Sequence, residues 1–181
     1  MPRQVVLLRG INLVKRNRIA MPELRSALEA DGYRDVRTYV QSGNIVLSSR
    51  ASPERVAKDV KAVIKARFAL DITILVRSRE ELAAVVQRNP LARIATNPGR
   101  YLVTFLSAEL PPGFADKLSS VAQQEPFAVI GREVYSWHPD GVGRSPLWER
   151  LAAKSMGIDA TSRNWTTVTT LLAMAEAPTD R

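Results

Sequence analysis

Arg9, Asn12, Lys15 and Asn17 lie in a stretch that reads LLRGINLVKRN over residues 7–17. The Arg9 guanidinium is a planar fork that matches phosphate or carboxylate. Asn12 and Asn17 can each donate and accept hydrogen bonds, or shape the loop they sit in. Lys15, with Arg16 and Arg18, adds diffuse positive charge, bound to a ligand or simply solvated. A second stretch, YVQSGNIVL over residues 39–47, carries Gln41, Ser42 and Asn44. These side chains could hydrogen-bond a ligand, and Ser42 and Asn44 are equally ordinary turn formers. Gly10 and Gly43 suit backbone conformations that a side chain resists, which favours turn formation over close ligand approach. Both stretches begin as apolar strand patterns and break into small, polar and basic residues.

Two more segments follow in the C-terminal half. Gly141-Val142-Gly143-Arg144-Ser145 precedes a helix start and could form an anion nest from backbone N–H groups, with Arg144 assisting. It has neither the lysine of a P-loop nor a complete dinucleotide fingerprint, and Ser145 reads equally as a helix cap. Arg163-Asn164 stands before a further helix, where it could bind an anion or where Asn164 could cap the helix of Trp165. His138 beside Asp140 has the chemistry of a general base but no visible partner. Trp137, Trp148 and Trp165 read as core or interface residues rather than base-stacking platforms. No metal-ligand cluster, Ser/His/Asp arrangement or P-loop is legible, so no catalytic residue is assigned and no metal or cofactor is expected.

The elements that must position these residues can be read from periodicity and punctuation. Residues 4–8 form an apolar strand and Met21-Pro22 opens a helix with Leu24, Ala27 and Leu28 inward. Residues 36–41 and 44–47 are two strands around Ser42-Gly43. Ser52-Pro53 caps and starts a helix, and residues 72–76 are a fourth strand. The order β-α-β-β-α-β recurs from residue 101, with strands at 101–106, 127–130 and 133–137, helices from Pro111 and Ser145, a short strand at 158–162 and a last helix at 165–175. The expected fold is α+β: two tandem ferredoxin-like (βαββαβ, α-β plait) subdomains with antiparallel sheets. Their bounds are 1–77 and 101–181, joined by a helix and loop over 78–100. In such a unit the loop after the first strand and the hairpin between the second and third share one end. Residues 9–18 and 41–44 should therefore converge. The loop at 139–145 and residues 163–164 should share an end of the second unit, and all four segments are expected to line a basic cleft between the halves.

Composition bounds the partners. The 181 residues carry a formal net charge of +8, with an isoelectric point near 10.3. That balance favours polyanions such as nucleic acid, or a phosphorylated small molecule. There is no cysteine and one histidine, so disulfides and thiolate metal sites are excluded. No stretch approaches the ~18 apolar residues of a membrane span, and the expectation is a cytoplasmic protein with no membrane partner. The leading expectation is a binding protein for an anionic ligand. Two alternatives stay open: an enzyme acting on a small phosphorylated or carboxylated substrate, and a protein-interaction module using a sheet face or edge.

Four motifs, LLRGIN, YVQSGNIVL, PDGVGRSPL and TSRNWTTVTTLL, together resemble the bacterial DUF1697 family, in the family's order. The resemblance implies a duplicated ferredoxin-like fold and brings no activity, since the family is one of unknown function. Where members often carry a glycine pair after the RGIN motif, this chain has Val14-Lys15. It also has Thr170 where Lys is frequent. A bulkier, more basic rim replaces a flexible glycine loop.

Overall fold

The computed structural model describes residues 1–13 and 16–178. The chain divides into two compact units, Met1–Ala84 with Thr170–Arg181, and Val85–Thr169. It is a mixed α+β protein with two four-stranded sheets, in which every strand pairing is antiparallel.

The first unit runs β1 (Arg3–Leu8), α1 (Met21–Ala30), β2 (Arg34–Tyr39), β3 (Asn44–Ser48), α2 (Pro53–Phe68) and β4 (Ile74–Ser78), with sheet order β2-β3-β1-β4. All six residues of β1 are buried: the apolar run Val5–Leu8, as a central strand requires, and with it the polar Arg3 and Gln4. Val6 and Leu8 join Leu24 and Leu28 of α1 and Val56, Val60 and Ile64 of α2 in one core cluster. Helix α2 starts where its sequence directs: Ser52 Oγ accepts from Arg55 N at 3.3 Å and Pro53 occupies the first turn. It ends at Ala69 in the left-handed region, φ 54°, with Lys65 and Arg67 complementing the negative end of the helix dipole. Burying Val56, Val60 and Ile64 stabilises the unit by about 1.5–3 kcal/mol per side chain relative to exposure.

The second unit holds β5 (Tyr101–Leu106), α4 (Phe114–Ala122), β6 (Phe127–Ile130), β7 (Glu133–Trp137), α5 (Pro146–Ala152) and β8 (Ala160–Asn164), in sheet order β6-β7-β5-β8. Its core cluster joins Leu106 and Val134 of the sheet to Phe114 and Leu118 of α4 and Leu147 and Leu151 of α5. Helix α3 (Arg79–Arg88) follows β4, and α6 (Trp165–Glu176) follows β8.

Three strands differ from the periodicity reading by two residues: β4 covers Ile74–Ser78 rather than 72–76, since Leu8 and Gln4 of β1 pair with Ile74 and Ser78, and β2 and β8 are displaced as well. β2 begins two residues early and its register shifts between Arg34 and Arg37, where Asp35 has φ 52°. A bulge of this kind is set by pairing, not by apolar alternation. β8 continues to Asn164 because Val103 and Leu102 pair with Arg163 and Asn164, although neither partner is apolar. Among the described residues no helix is long and apolar enough to cross a membrane.

Candidate functional site

The end of β1 is tied to two neighbours. Leu8 N donates to Gly43 O and Arg9 N to Thr73 O, both at 2.9 Å. Beyond it the chain turns back on itself: Asn12 and Asn17 both have φ 52°, and Asn12 N donates to Asn17 O at 2.9 Å. The Asn12 side chain then uses both ends. Its Oδ1 accepts from Ile19 N at 2.8 Å, while Nδ2 donates to Ile19 O at 3.0 Å and to Gln41 O at 2.6 Å. Asn17 Nδ2 donates to Gly10 O at 3.0 Å. The loop and the β2–β3 turn therefore meet through side-chain bonds to backbone.

Gly43 makes the close approach possible. A Cβ there would lie 2.6 Å from Leu8 Cβ and 2.9 Å from Ile11 Cδ1, and its φ is 78°. Asn44 is wholly buried; its Nδ2 donates to Tyr39 O at 3.1 Å and Ser42 Oγ at 2.9 Å. Asn12, Asn17 and Asn44 are thus occupied in building this end of the unit. Gln41 and Ser42 remain exposed, Arg9 is half-buried, and Arg16 and Arg18 are exposed. Lys15 lies outside the described residues. No acidic residue occurs from residue 5 to 22 or from 36 to 53. At the nearby entry to β4, Asp71 pairs with Lys61 at 2.9 Å, which holds its carboxyl below the usual range.

In the second unit, the chain entering β5 gathers two segments. His138 N donates to Arg100 O at 3.0 Å and Trp165 N to Pro98 O at 3.1 Å. The loop after β7 and the end of β8 therefore share an end. Ser145 is buried and caps α5: its Oγ accepts from Trp148 N at 2.9 Å and donates to Glu125 Oε2 at 2.8 Å. Asn164 Oδ1 accepts from Thr167 N at 2.9 Å and caps α6. Arg163 Nη1 donates to Thr161 Oγ1 at 2.9 Å and to Ser162 O at 2.8 Å, and burial pushes its guanidinium down to about 10. Arg144, on a short 3-10 turn over Val142–Arg144, is exposed.

His138 has partners that the sequence did not reveal. Its Nε2 lies 2.9 Å from Ser136 Oγ and its Nδ1 2.9 Å from Glu125 Oε1. Hydroxyl, imidazole and carboxylate follow the order of a hydrolytic triad. Ser136 and His138 are fully buried, however, so the hydroxyl meets no substrate. Through Glu125 the network ends on the Ser145 cap, and it fastens the start of α5 to β7. The signal for Ser136 was its i, i+2 spacing from His138, which puts both on one face of a strand. Glu125 had no such signal, because its approach depends on where α4 ends.

A recess of about 640 Å³ lies along α1 and α2, walled by Ala27, Ala30, Ala62 and Ala66 and edged by Arg55 and Asp59. Among the described residues, none of the candidate ligand-binding residues read from the sequence lines it. Arg55 Nε and Asp59 Oδ2 pair at 2.9 Å, so these two charges largely answer each other. Among the described residues no group of three or more His, Cys, Asp or Glu side chains could hold a metal ion.

Comparison with known proteins gives a family and a fold. The family described as "Protein of unknown function (DUF1697)" matches residues 1–135, a span that contains the β1 loop and the β2–β3 turn and stops before His138. Among solved structures the chain is similar to the conserved bacterial protein SP0830 from Streptococcus pneumoniae, with a TM-score of 0.73 at 20% identity. The alignment covers 97% of this chain and 99% of that one; at such identity the likeness speaks to the fold alone. No curated protein matches.

Proposed function

We propose, for a chain that belongs to the DUF1697 family, that the first unit binds an anionic ligand where the β1 loop meets the β2–β3 turn. The ligand is the phosphate of a nucleic acid or of a phosphorylated small molecule. The observation that carries the reading is the Asn12 side chain, which holds two acid-free segments together through Ile19 and Gln41. Arg9, Arg16 and Arg18 stand on one of those segments, with Lys15 between them in sequence. The described residues around Arg9 are tied by Asn12 and Asn17, and a site whose frame is already tied loses less conformational entropy when an anion arrives. In this reading Arg9 supplies the planar fork, Gln41 and Ser42 offer neutral donors, and Asn12, Asn17 and Asn44 position the rest. Ser145, Arg163 and Asn164 are spent on caps and on their own strand, and with Arg144 they belong to the second unit, outside this site. We further read the two units as tandem ferredoxin-like folds, which their identical element and strand orders support.

The test is a polarisation titration with labelled RNA, DNA and nucleotides. If three or four phosphates of duplex DNA are neutralised, a fourfold rise in salt lowers affinity about 40- to 150-fold. Replacing Arg9, Arg16 and Arg18 together by Ala should abolish the salt-sensitive part. Absence of salt-sensitive binding at low ionic strength, or binding that survives the triple replacement, sinks the assignment.

A further inference from the structure

The edges of the two sheets are defended unequally. The four edge strands are β2, β4, β6 and β8. β2 reads RDVRTY and carries a register shift, β4 contains Arg77 and β8 contains Arg163. Charges and bulges are the usual devices that keep an edge from pairing with another chain. β6 reads FAVI: it has no charge, no proline and no shift in register against β7.

The register fixes which backbone groups of β6 face outward. Ile130 pairs with Glu133 across the two-residue turn Gly131-Arg132, so that pair exchanges hydrogen bonds. Bonded and non-bonded pairs alternate along an antiparallel ladder. Ala128 and Tyr135 are therefore bonded, and the bond from Trp137 N to Pro126 O at 2.9 Å continues the same phase. The N–H and C=O of Phe127 and Val129 consequently point away from β7. Val129 is also 37% exposed, and it is among the large apolar side chains left at the surface.

We propose that β6 is a self-pairing edge, on which a second copy of this chain adds its own β6 antiparallel across a two-fold axis. The sequence of outward groups is self-complementary about Ala128. Phe127 of one copy faces Val129 of the other, and the reverse, so each outward N–H meets an outward C=O. The axis passes between the two Ala128 residues, which form a non-bonded pair with Cα atoms about 4.5 Å apart. That is the closest spacing in a ladder, and alanine is small enough to fill it without a clash. Val129 of each copy comes to lie beside Phe127 of the other, an aromatic and β-branched pair of the kind that favours sheets. The two sheets become one continuous eight-stranded sheet. A two-fold interface closes on itself, so association stops at the dimer. A strand this short gives a weak interface, formed at high protein concentration. Each copy carries a net charge of +8, so added salt should strengthen the dimer, the opposite of its effect on phosphate binding.

Sedimentation velocity over a wide range of concentration tests this. The mass of the wild-type chain should rise from 20.0 kDa towards double that value, and amide exchange at Phe127 and Val129 should slow in step. Val129→Pro removes an outward N–H and no bond to β7, so it should keep the fold and stay monomeric. Val129→Thr keeps the N–H and should still dimerise. A wild-type chain that remains at the monomer mass at every concentration overturns the proposal. So does a folded Val129→Pro variant that dimerises as the wild type does. If that variant does not fold, the exchange rates of the wild-type amides decide the matter.

Discussion

At the scale of single residues, asparagine and glycine set the geometry at the end of the first unit. The motif around Arg9 was legible as a place where chemistry could gather. The work of its asparagines was not, because their partners are backbone groups of Ile19, Gln41, Gly10 and Tyr39 that only the fold brings near. Asn12→Ala strands several of those groups at once. It should cost about 1–3 kcal/mol in denaturant unfolding and weaken anion binding while leaving every arginine in place. Gly43 and Gly10 look alike in sequence, and each has a positive φ. An added Cβ at Gly43 would sit 2.6 Å from Leu8 Cβ, whereas at Gly10 nothing lies within 4 Å. Gly43→Ala should therefore cost about 2–4 kcal/mol, and Gly10→Ala only the left-handed strain of about 1–2 kcal/mol. Equal losses in the two variants would contradict the packing account.

At the scale of elements, helix starts were the most legible feature. Ser52-Pro53 and Ser145-Pro146 both open helices as read, since a cap acts on groups two or three residues away and needs no tertiary context. The caps differ in what else they touch. Ser52 Oγ serves Arg55 N at the surface, while Ser145 Oγ is buried and also donates to Glu125. Ser52→Ala should cost about 1 kcal/mol. Ser145→Ala should cost more, because it leaves a half-buried Glu125 carboxylate short of a donor inside a network with the buried His138, adding about 1 kcal/mol. Comparing unfolding midpoints of the two variants checks this, and similar losses would mean that the Glu125–His138–Ser136 chain is not a structural clamp. The network itself escaped sequence reading because Glu125 stands on the connection between α4 and β6.

At the scale of the whole molecule, composition announced a basic protein and the recurring β-α-β-β-α-β order announced two antiparallel sheets, and both readings needed only local pattern. Burial of particular side chains needed the fold. Tyr33, Tyr101 and Tyr135 are each pushed up to about 12, chiefly by burial. Tyr135 Oη donates to Val85 O at 2.8 Å, a bond that its phenolate would lose. A raised folded-state value means that the folded protein holds these protons more tightly than the unfolded chain. Their contribution is thus complete below the ordinary value of 10.0 and disappears as pH climbs through about 12. The melting temperature should fall across that interval, and the fall should be shallower in Tyr135→Phe. A melting temperature flat over that interval would refute the assignment.

Arg3 Nη1 donates to Met174 O at 2.8 Å. Translation adds the carbonyl that receives the guanidinium 171 residues after Arg3 itself. β1 thus waits on a much later segment for its completion, and a nascent chain halted before Met174 carries a first unit that still lacks this latch.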